Sequence, residues 1–215
     1  TIDYGTKIAQ DRYTASGLAA GDAVGSISLS ADQTTTGTHS GAITISSAQI
    51  MRGGVDVTEN YDITYEPGDL TINQIACTVS SWPTAAGITY GQALGDSALT
   101  GGDANGIFAW KDSTIKPNAG TAQFSVTFTP NDTNYNTATA DVSVTIAKAT
   151  PTLTAPTASA IEYGQKLSDS ALTGGTAANP NGSAAVAGSW GWVNEDTRPT
   201  ATGTFPVAFV PIDTG

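Results

Sequence analysis

An all-β fold of tandem two-layer sandwich domains is predicted by three features of this chain. The first is a phrase that recurs at domain-sized spacing: Ile2-Asp3-Tyr4-Gly5, Ile88-Thr89-Tyr90-Gly91 and Ile161-Glu162-Tyr163-Gly164, with 86 and then 73 residues between the tyrosines. Those intervals exceed most solenoid repeats and match a small β domain with its own core. The second is alternation of apolar residues over short stretches, the period of a half-buried strand. The third is composition: 39% apolar and only 13% charged residues, with abundant Thr, Ser, Ala and Gly, which suits exposed β surface better than helix.

Segment one, residues 1–76, contains Gly41-Ala-Ile-Thr-Ile-Ser46, then Tyr61-Asp-Ile-Thr-Tyr65, Glu66-Pro67-Gly68-Asp69 and Leu70-Thr-Ile72. Pro67 pre-sets φ and Gly68 tolerates positive φ, so a hairpin is expected in which Asp62 to Tyr65 pair with Leu70 to Asn73. Segment two, residues 77–148, carries expected strands near Ile107 to Trp110, Gln123 to Thr129 and Ala140 to Ile146. In Asp141-Val-Ser-Val-Thr-Ile146 the side chains of Val142, Val144 and Ile146 share one face, which should line the core. Pro130-Asn-Asp-Thr-Asn-Tyr135 reads as a loop, and Tyr61 and Tyr135 are expected to anchor the return strands that follow them.

Segment three, residues 149–215, repeats segment two: Tyr90-Gly-Gln-Ala-Leu-Gly-Asp-Ser-Ala-Leu-Thr-Gly-Gly102 is answered by Tyr163-Gly-Gln-Lys-Leu-Ser-Asp-Ser-Ala-Leu-Thr-Gly-Gly175. Phe124-Ser-Val-Thr-Phe-Thr-Pro-Asn-Asp-Thr133 likewise aligns with Phe205-Pro-Val-Ala-Phe-Val-Pro-Ile-Asp-Thr214. Thr150 to Pro156 and Thr78 to Pro83 read as matching first strands, entered directly from the preceding domain. Such short, Pro-containing connections restrict swinging and predict an extended rod. Segment three has no counterpart of the strand around Val144, and segment one starts at its Ile-x-Tyr-Gly phrase. Incomplete end domains with unpaired strand edges are therefore expected, open to strand complementation by a neighbouring chain.

A formal net charge of −11, with eight scattered basic residues, speaks against binding to nucleic-acid phosphate or anionic lipid. No stretch reaches membrane-spanning length. The first residues lack the charged start and apolar run of a signal peptide. Cys77 is the only cysteine, so no disulfide forms within the chain, and it reads as a small buried residue early in a strand.

Candidate chemistry is sparse. His39 is the only histidine and reads as a polar surface residue at a strand entry or turn, so a Ser-His-Asp triad or a two-histidine metal site has little to work with. The acids lie mostly in turns, with nothing to separate two carboxyl pKa values as a hydrolase requires. Asn131-Asp132-Thr133-Asn134 lacks the spacing of a calcium loop and reads as turn chemistry. Gly101-Gly102 and Gly174-Gly175 read as turns or bulges, because no helix follows to point amides at a phosphate. Neither catalytic, metal nor cofactor residues are assigned. Phe108 with Trp110, and Trp190 with Trp192, are alternate-position aromatic pairs: core anchors if they face inward, as recurrence favours, or a sugar-stacking platform if they face outward. Trp82 is the better candidate for an exposed ring. Lys7 and Lys166 occupy matching positions and read as solvated lysines, with an isopeptide crosslink as the alternative, although segment two has Ala93 there.

Glu59-Asn-Tyr-Asp-Ile-Thr-Tyr-Glu-Pro-Gly-Asp-Leu-Thr-Ile-Asn73, preceded by Tyr4-Gly5, resembles the MBG or YDG type of bacterial immunoglobulin-like repeat. Segments two and three resemble related repeats of secreted and cell-wall-anchored proteins. Segment one departs from the other two between Ser16 and Asp56. The resemblance implies tandem immunoglobulin-like β-sandwiches at the bacterial cell surface or outside the cell, with Tyr4, Gly5, Tyr61, Tyr90, Gly91, Tyr135, Tyr163 and Gly164 as the structural signature of the repeats. The function it implies is a non-enzymatic adhesin stalk presenting a distal binding region. The alternatives are repeats that themselves bind host glycan or protein, and accessory modules of an extracellular glycoside hydrolase.

Overall fold

Seventeen β-strands and three single turns of 3₁₀ helix make up the regular structure of residues 1–181 and 185–212, which the computed structural model describes. The all-β class expected from alternation and composition is the class observed. No helix among the described residues is long and apolar enough to cross a membrane. The chain divides into two units: Thr1–Val79 with Asn105–Ile107 and Phe128–Ala138, and the remainder from Ser80 onward.

In the first unit, β1 (Ile2–Asp3), β2 (Asp22–Ser30), β3 (Gly37–Arg52), β4 (Val55–Asp56) and β5 (Gly68–Asn73) form one sheet in the order β1-β5-β3-β2, with β4 on the end of β3. The sixteen residues of β3 serve two partners in turn: Gly37 to Ile43 pair with β5, and Thr44 to Arg52 pair with β2. Leu29, Ile50, Leu70 and Ile72 are buried. Each contributes roughly 1.5–3 kcal/mol by leaving water, before the entropy of ordering is subtracted.

The expected hairpin of Asp62 to Tyr65 with Leu70 to Asn73 does not form. β5 starts at Gly68 itself, and both of its edges are taken, by β3 running antiparallel and by β1 running parallel. Residues 61–67 therefore cross over outside the sheet, tied down by side chains: the Ala19 amide donates to the Tyr61 hydroxyl at 2.9 Å and the Ala48 amide to the Tyr65 hydroxyl at 3.0 Å. Tyr61 thus anchors a crossover rather than a return strand. Cys77 is half-buried and outside any strand, and Thr78 to Pro83 form no strand either.

The second unit holds β6 (Thr84–Ala85), β7 (Ile88–Thr89), β8 (Leu99–Thr100) and most of β9 (Gly106–Trp110), β10 (Gly120–Pro130) and β11 (Ala138–Ala147). Four of these make the sheet β7-β11-β10-β9, and β6 pairs with β8. The three strands expected in segment two are those observed. Val142, Val144 and Ile146 face inward at 7%, 1% and 3% exposure, and Ile88, Leu94, Val144 and Ile146 form a core against Ala85, Tyr90, Trp110 and Phe124.

Segment three, in the same unit, contains β12 (Thr152–Thr154), β13 (Thr157–Ala158), β14 (Leu172–Thr173), β15 (Thr176–Ala178), β16 (Gly188–Trp192) and β17 (Val207–Pro211). Among the described residues they pair only two by two, as β12-β15, β13-β14 and β16-β17. The expected first strand is present here as β12. Asp213 and Thr214, which close the alignment begun at Phe205, lie outside the described residues.

Candidate functional site

The three Ile-x-Tyr-Gly phrases fold into the same turn. Gly5, Gly91 and Gly164 have φ of 79°, 94° and 92°, and the residue after each donates its amide to the carbonyl three back: Thr6 to Asp3 at 3.0 Å, Gln92 to Thr89 at 3.0 Å and Gln165 to Glu162 at 3.1 Å. Tyr-Gly at the central positions, with positive φ at the second, is the geometry of a type II turn, which selects glycine there. The glutamines tighten it: the Thr89 amide donates to Gln92 Oε1 at 2.7 Å, and the Glu162 amide to Gln165 Oε1 at 2.6 Å.

Just before the turn, each of the first two phrases pairs in parallel with the last strand of its own repeat. Ile2 lies opposite Ile72 and Asp3 opposite Asn73, and the Tyr4 amide extends the ladder to the Asn73 carbonyl at 3.0 Å. Ile88 lies opposite Ile146 and Thr89 opposite Ala147, and the Tyr90 amide reaches the Ala147 carbonyl at 2.9 Å. The signature residues thus join the beginning of a repeat to its end.

Behind the turns, segments two and three share one internal frame. The Trp110 indole donates to the Ser97 carbonyl at 2.9 Å and the Trp192 indole to that of Ser170 at 3.1 Å. The hydroxyls of Ser97 and Ser170 donate in turn to the carbonyls of Ala86 and Ser159. A side chain on Gly106 would strike the Phe128 ring, and one on Gly188 the Phe209 ring, both at 2.4 Å, so each strand passes directly beneath an aromatic. Trp190 packs on Phe209 with centroids 5.3 Å apart, and Trp82 on Phe108 at 5.6 Å. All four tryptophans are half-buried and none is exposed. Trp82 is no exception, because Phe108 covers one face of it. Segment three has twelve residues between Gly175 and Gly188 where segment two has three between Gly102 and Gly106, and β15 lies in that longer stretch.

Loops of the following segment rest on the Tyr-Gly turns. Tyr135 meets Tyr4 edge to face at 5.8 Å, bringing two signature residues together, and bridges Ile75 in parallel. Asn134, only 8% exposed, accepts the Thr36 amide at 2.8 Å, and the Gln74 side chain donates to the Thr133 carbonyl at 2.7 Å. In the second unit, Asn181 Nδ2 donates to the Tyr90 carbonyl at 3.2 Å. In sequence Asn134 reads as turn chemistry, because a buried asparagine amide looks the same there as a turn asparagine, and the exposed Asn181 carries no mark that its amide reaches Tyr90.

The acids and the histidine are occupied locally. Asp132 accepts the Asn134 amide, and Asp96 and Asp169 accept the amides of Ala93 and Lys166. Thr114 bonds hold the Asp112 carboxyl below its usual pKa, as Thr58 and Gln49 do for Asp56 and the Gly41 amide with Ser40 does for Asp69. His39 lies within β3, opposite Leu70, with Nε2 2.9 Å from the Thr35 carbonyl oxygen. Lys166 forms an exposed ion pair with Asp196 at 2.6 Å, which lowers the Asp196 pKa. One polar cluster had no sequence signal: the Asp22 side chain, 1% exposed, is gripped by the Arg52 guanidinium and accepts the Tyr61 hydroxyl at 2.6 Å. Arg52 first, and Tyr61 second, hold its carboxyl below the usual range.

Segment three also differs from segment two beside its Tyr-Gly turn. A groove of 690 Å³ opens beside its Ile161-Glu162-Tyr163, lined by residues that include Ala158, Ile161, Leu167, Trp192, Phe205 and Val207. Tyr163 is 89% exposed, whereas Tyr90 is half-buried. Comparison of the chain with protein-family models, curated proteins and solved structures returns no match.

Proposed function

We propose that this chain is a non-enzymatic spacer segment of a bacterial surface or secreted adhesin, built of immunoglobulin-like β-sandwich repeats of the MBG or YDG type. The observation that supports it most is the parallel pairing of the first Ile-x-Tyr phrase of a repeat with that repeat's last strand, seen at Ile2-Ile72 and again at Ile88-Ile146. Tension enters such a pair at the start of one strand and leaves at the end of its parallel neighbour. The strands must then slide along one another, so their hydrogen bonds and the facing isoleucines resist together instead of opening one by one. The Tyr-Gly turn fixes the end of the ladder, and the loops seated on it at Tyr135 and Asn181 stiffen the passage between segments.

The chemistry-bearing groups favour the same reading. The carboxylates named above bond to nearby amides and hydroxyls or, at Asp22 and Asp196, pair with Arg52 and Lys166, and the tryptophan indoles spend their donors on carbonyls or their faces on phenylalanines. A net charge of −11 keeps neighbouring segments soluble and apart. Single-molecule pulling tests the proposal. Force peaks at shear-type resistance are expected, and Ile146→Asp should remove the peak of segment two while leaving that of segment one. Unfolding of every segment without a resolved peak would overturn it. Specific retention on a glycan array would move the role from spacing to binding.

A further inference from the structure

We infer that the Gln10 side chain is a removable plug on the β2 edge of the first unit's sheet, and that the partner it holds off is β2 of a second copy of this chain. β2 stands last in the order β1-β5-β3-β2 and pairs only with β3 among the described residues. Leu29 lies opposite Ile45, yet both of its backbone groups go to Gln10: the Leu29 amide donates to Gln10 Oε1 at 2.7 Å, and the Leu29 carbonyl accepts from Gln10 Nε2 at 2.9 Å. A carboxamide carries an acceptor beside its donors, as a peptide group does, so one side chain fills the place of a strand residue. No strand brings it there. Residues 4–21 form none, and Gln10 is itself exposed, so the plug can swing away while β2 keeps its pairing with β3.

The other devices that protect this edge stop short of Leu29. The Ala19 carbonyl accepts the Asp22 amide at 3.0 Å at the start of β2, and the pairing with β3 shifts register between Val24 and Ser26. Beyond that shift, Ser26-Ile27-Ser28-Leu29-Ser30 contains neither the charges nor the proline that commonly deter edge-to-edge pairing. The stretch is also self-complementary. With the backbone groups of Leu29 turned outward, the two-residue period of the strand turns those of Ile27 outward as well. In an antiparallel pair about a two-fold axis at Ser28, Ile27 of one copy exchanges both backbone bonds with Leu29 of the other, and the axis repeats the exchange. Ser26 then faces Ser30, and Ser28 faces its own copy. These serines are exposed, small and uncharged, so nothing on that face repels the second copy once Gln10 is gone.

This is independent of the spacer reading, since edge pairing can fail while resistance to force holds, and the reverse. The test compares the full natural chain with Gln10→Ala by analytical ultracentrifugation and by amide hydrogen exchange. The natural chain is expected to stay monomeric with the Leu29 amide protected. In dilute Gln10→Ala that amide should exchange about ten-fold faster, while Leu70–Ile72 stay unchanged and show the sheet intact. On concentration the variant should dimerise, and Ile27 and Leu29 should become protected together. Gln10→Glu keeps the acceptor but loses the donor, and should dimerise more weakly than Gln10→Ala. Adding Ser28→Lys to Gln10→Ala sets two ammonium groups against each other on the axis and should weaken the dimer about five-fold. The inference is overturned by unchanged exchange at Leu29, by a Gln10→Ala chain that stays monomeric at about 1 mM, or by equal dimerisation of the natural chain. It is also overturned by a dimer indifferent to Ser28→Lys, or by association that accompanies lost protection at Leu70–Ile72, which would report unfolding instead of an uncovered edge.

Discussion

Ile88 and Ile161 hold the same position in two copies of one phrase, so truncating each isolates what a neighbouring strand contributes. Ile88 is 5% exposed and packed with Leu94, Val144 and Ile146. Ile88→Ala removes three carbons, about 2.4 kcal/mol at ~0.8 per buried carbon, and the closed surroundings add a cavity cost, for a total of about 3 kcal/mol. Ile161 borders an open groove that water already enters, so Ile161→Ala should leave no sealed cavity and cost about 1 kcal/mol. For a domain of this size 3 kcal/mol corresponds to a fall of roughly 12–24 °C in Tm. Segment-resolved hydrogen exchange under native conditions reads both costs separately. Equal costs would mean that segment three is as closed as segment two, and would refute the reasoning. Costs below about 1 kcal/mol at both sites would deny the phrase its place in the core.

Trp110→Phe and Trp192→Phe each remove an indole donor from a carbonyl, and denaturant unfolding should show a loss of about 1 kcal/mol in the affected segment. Gly5→Ala forces a side chain into left-handed backbone with nothing else in its way and should cost about 1 kcal/mol. Gly91→Ala should cost more by thermal unfolding, because its Cβ would also meet the Asn179 amide at 2.7 Å. Asp22 has its folded pKa lowered by Arg52 and Tyr61 below the ordinary 3.8, so its contribution is complete above that value and is lost as pH falls through the folded pKa. Acid titration of stability should accordingly be flatter for Asp22→Asn than for the natural chain below about pH 4.

Alternation makes β10 and β11 legible in the sequence itself, because a two-residue period over Asp141 to Ile146 leaves only one face for the core. The Tyr-Gly turn was legible for a similar reason: glycine reports a backbone angle that few other residues tolerate. The hairpin around Pro67-Gly68 misled, since turn chemistry describes four residues and is blind to a distant strand competing for the same edge. Here β1, about seventy residues away in sequence, takes that edge of β5. Cys77 was misplaced because a small apolar residue carries no local mark of strand or crossover.

The one-dimensional order of residues determined what is local: the all-β class, the repeat and the inward faces of the strands, each set by side-chain period or by residue identity. Tertiary structure alone decided which strands meet, since parallel pairing of Ile88 with Ile146 or of Ile2 with Ile72 joins residues whose sequences say nothing of each other.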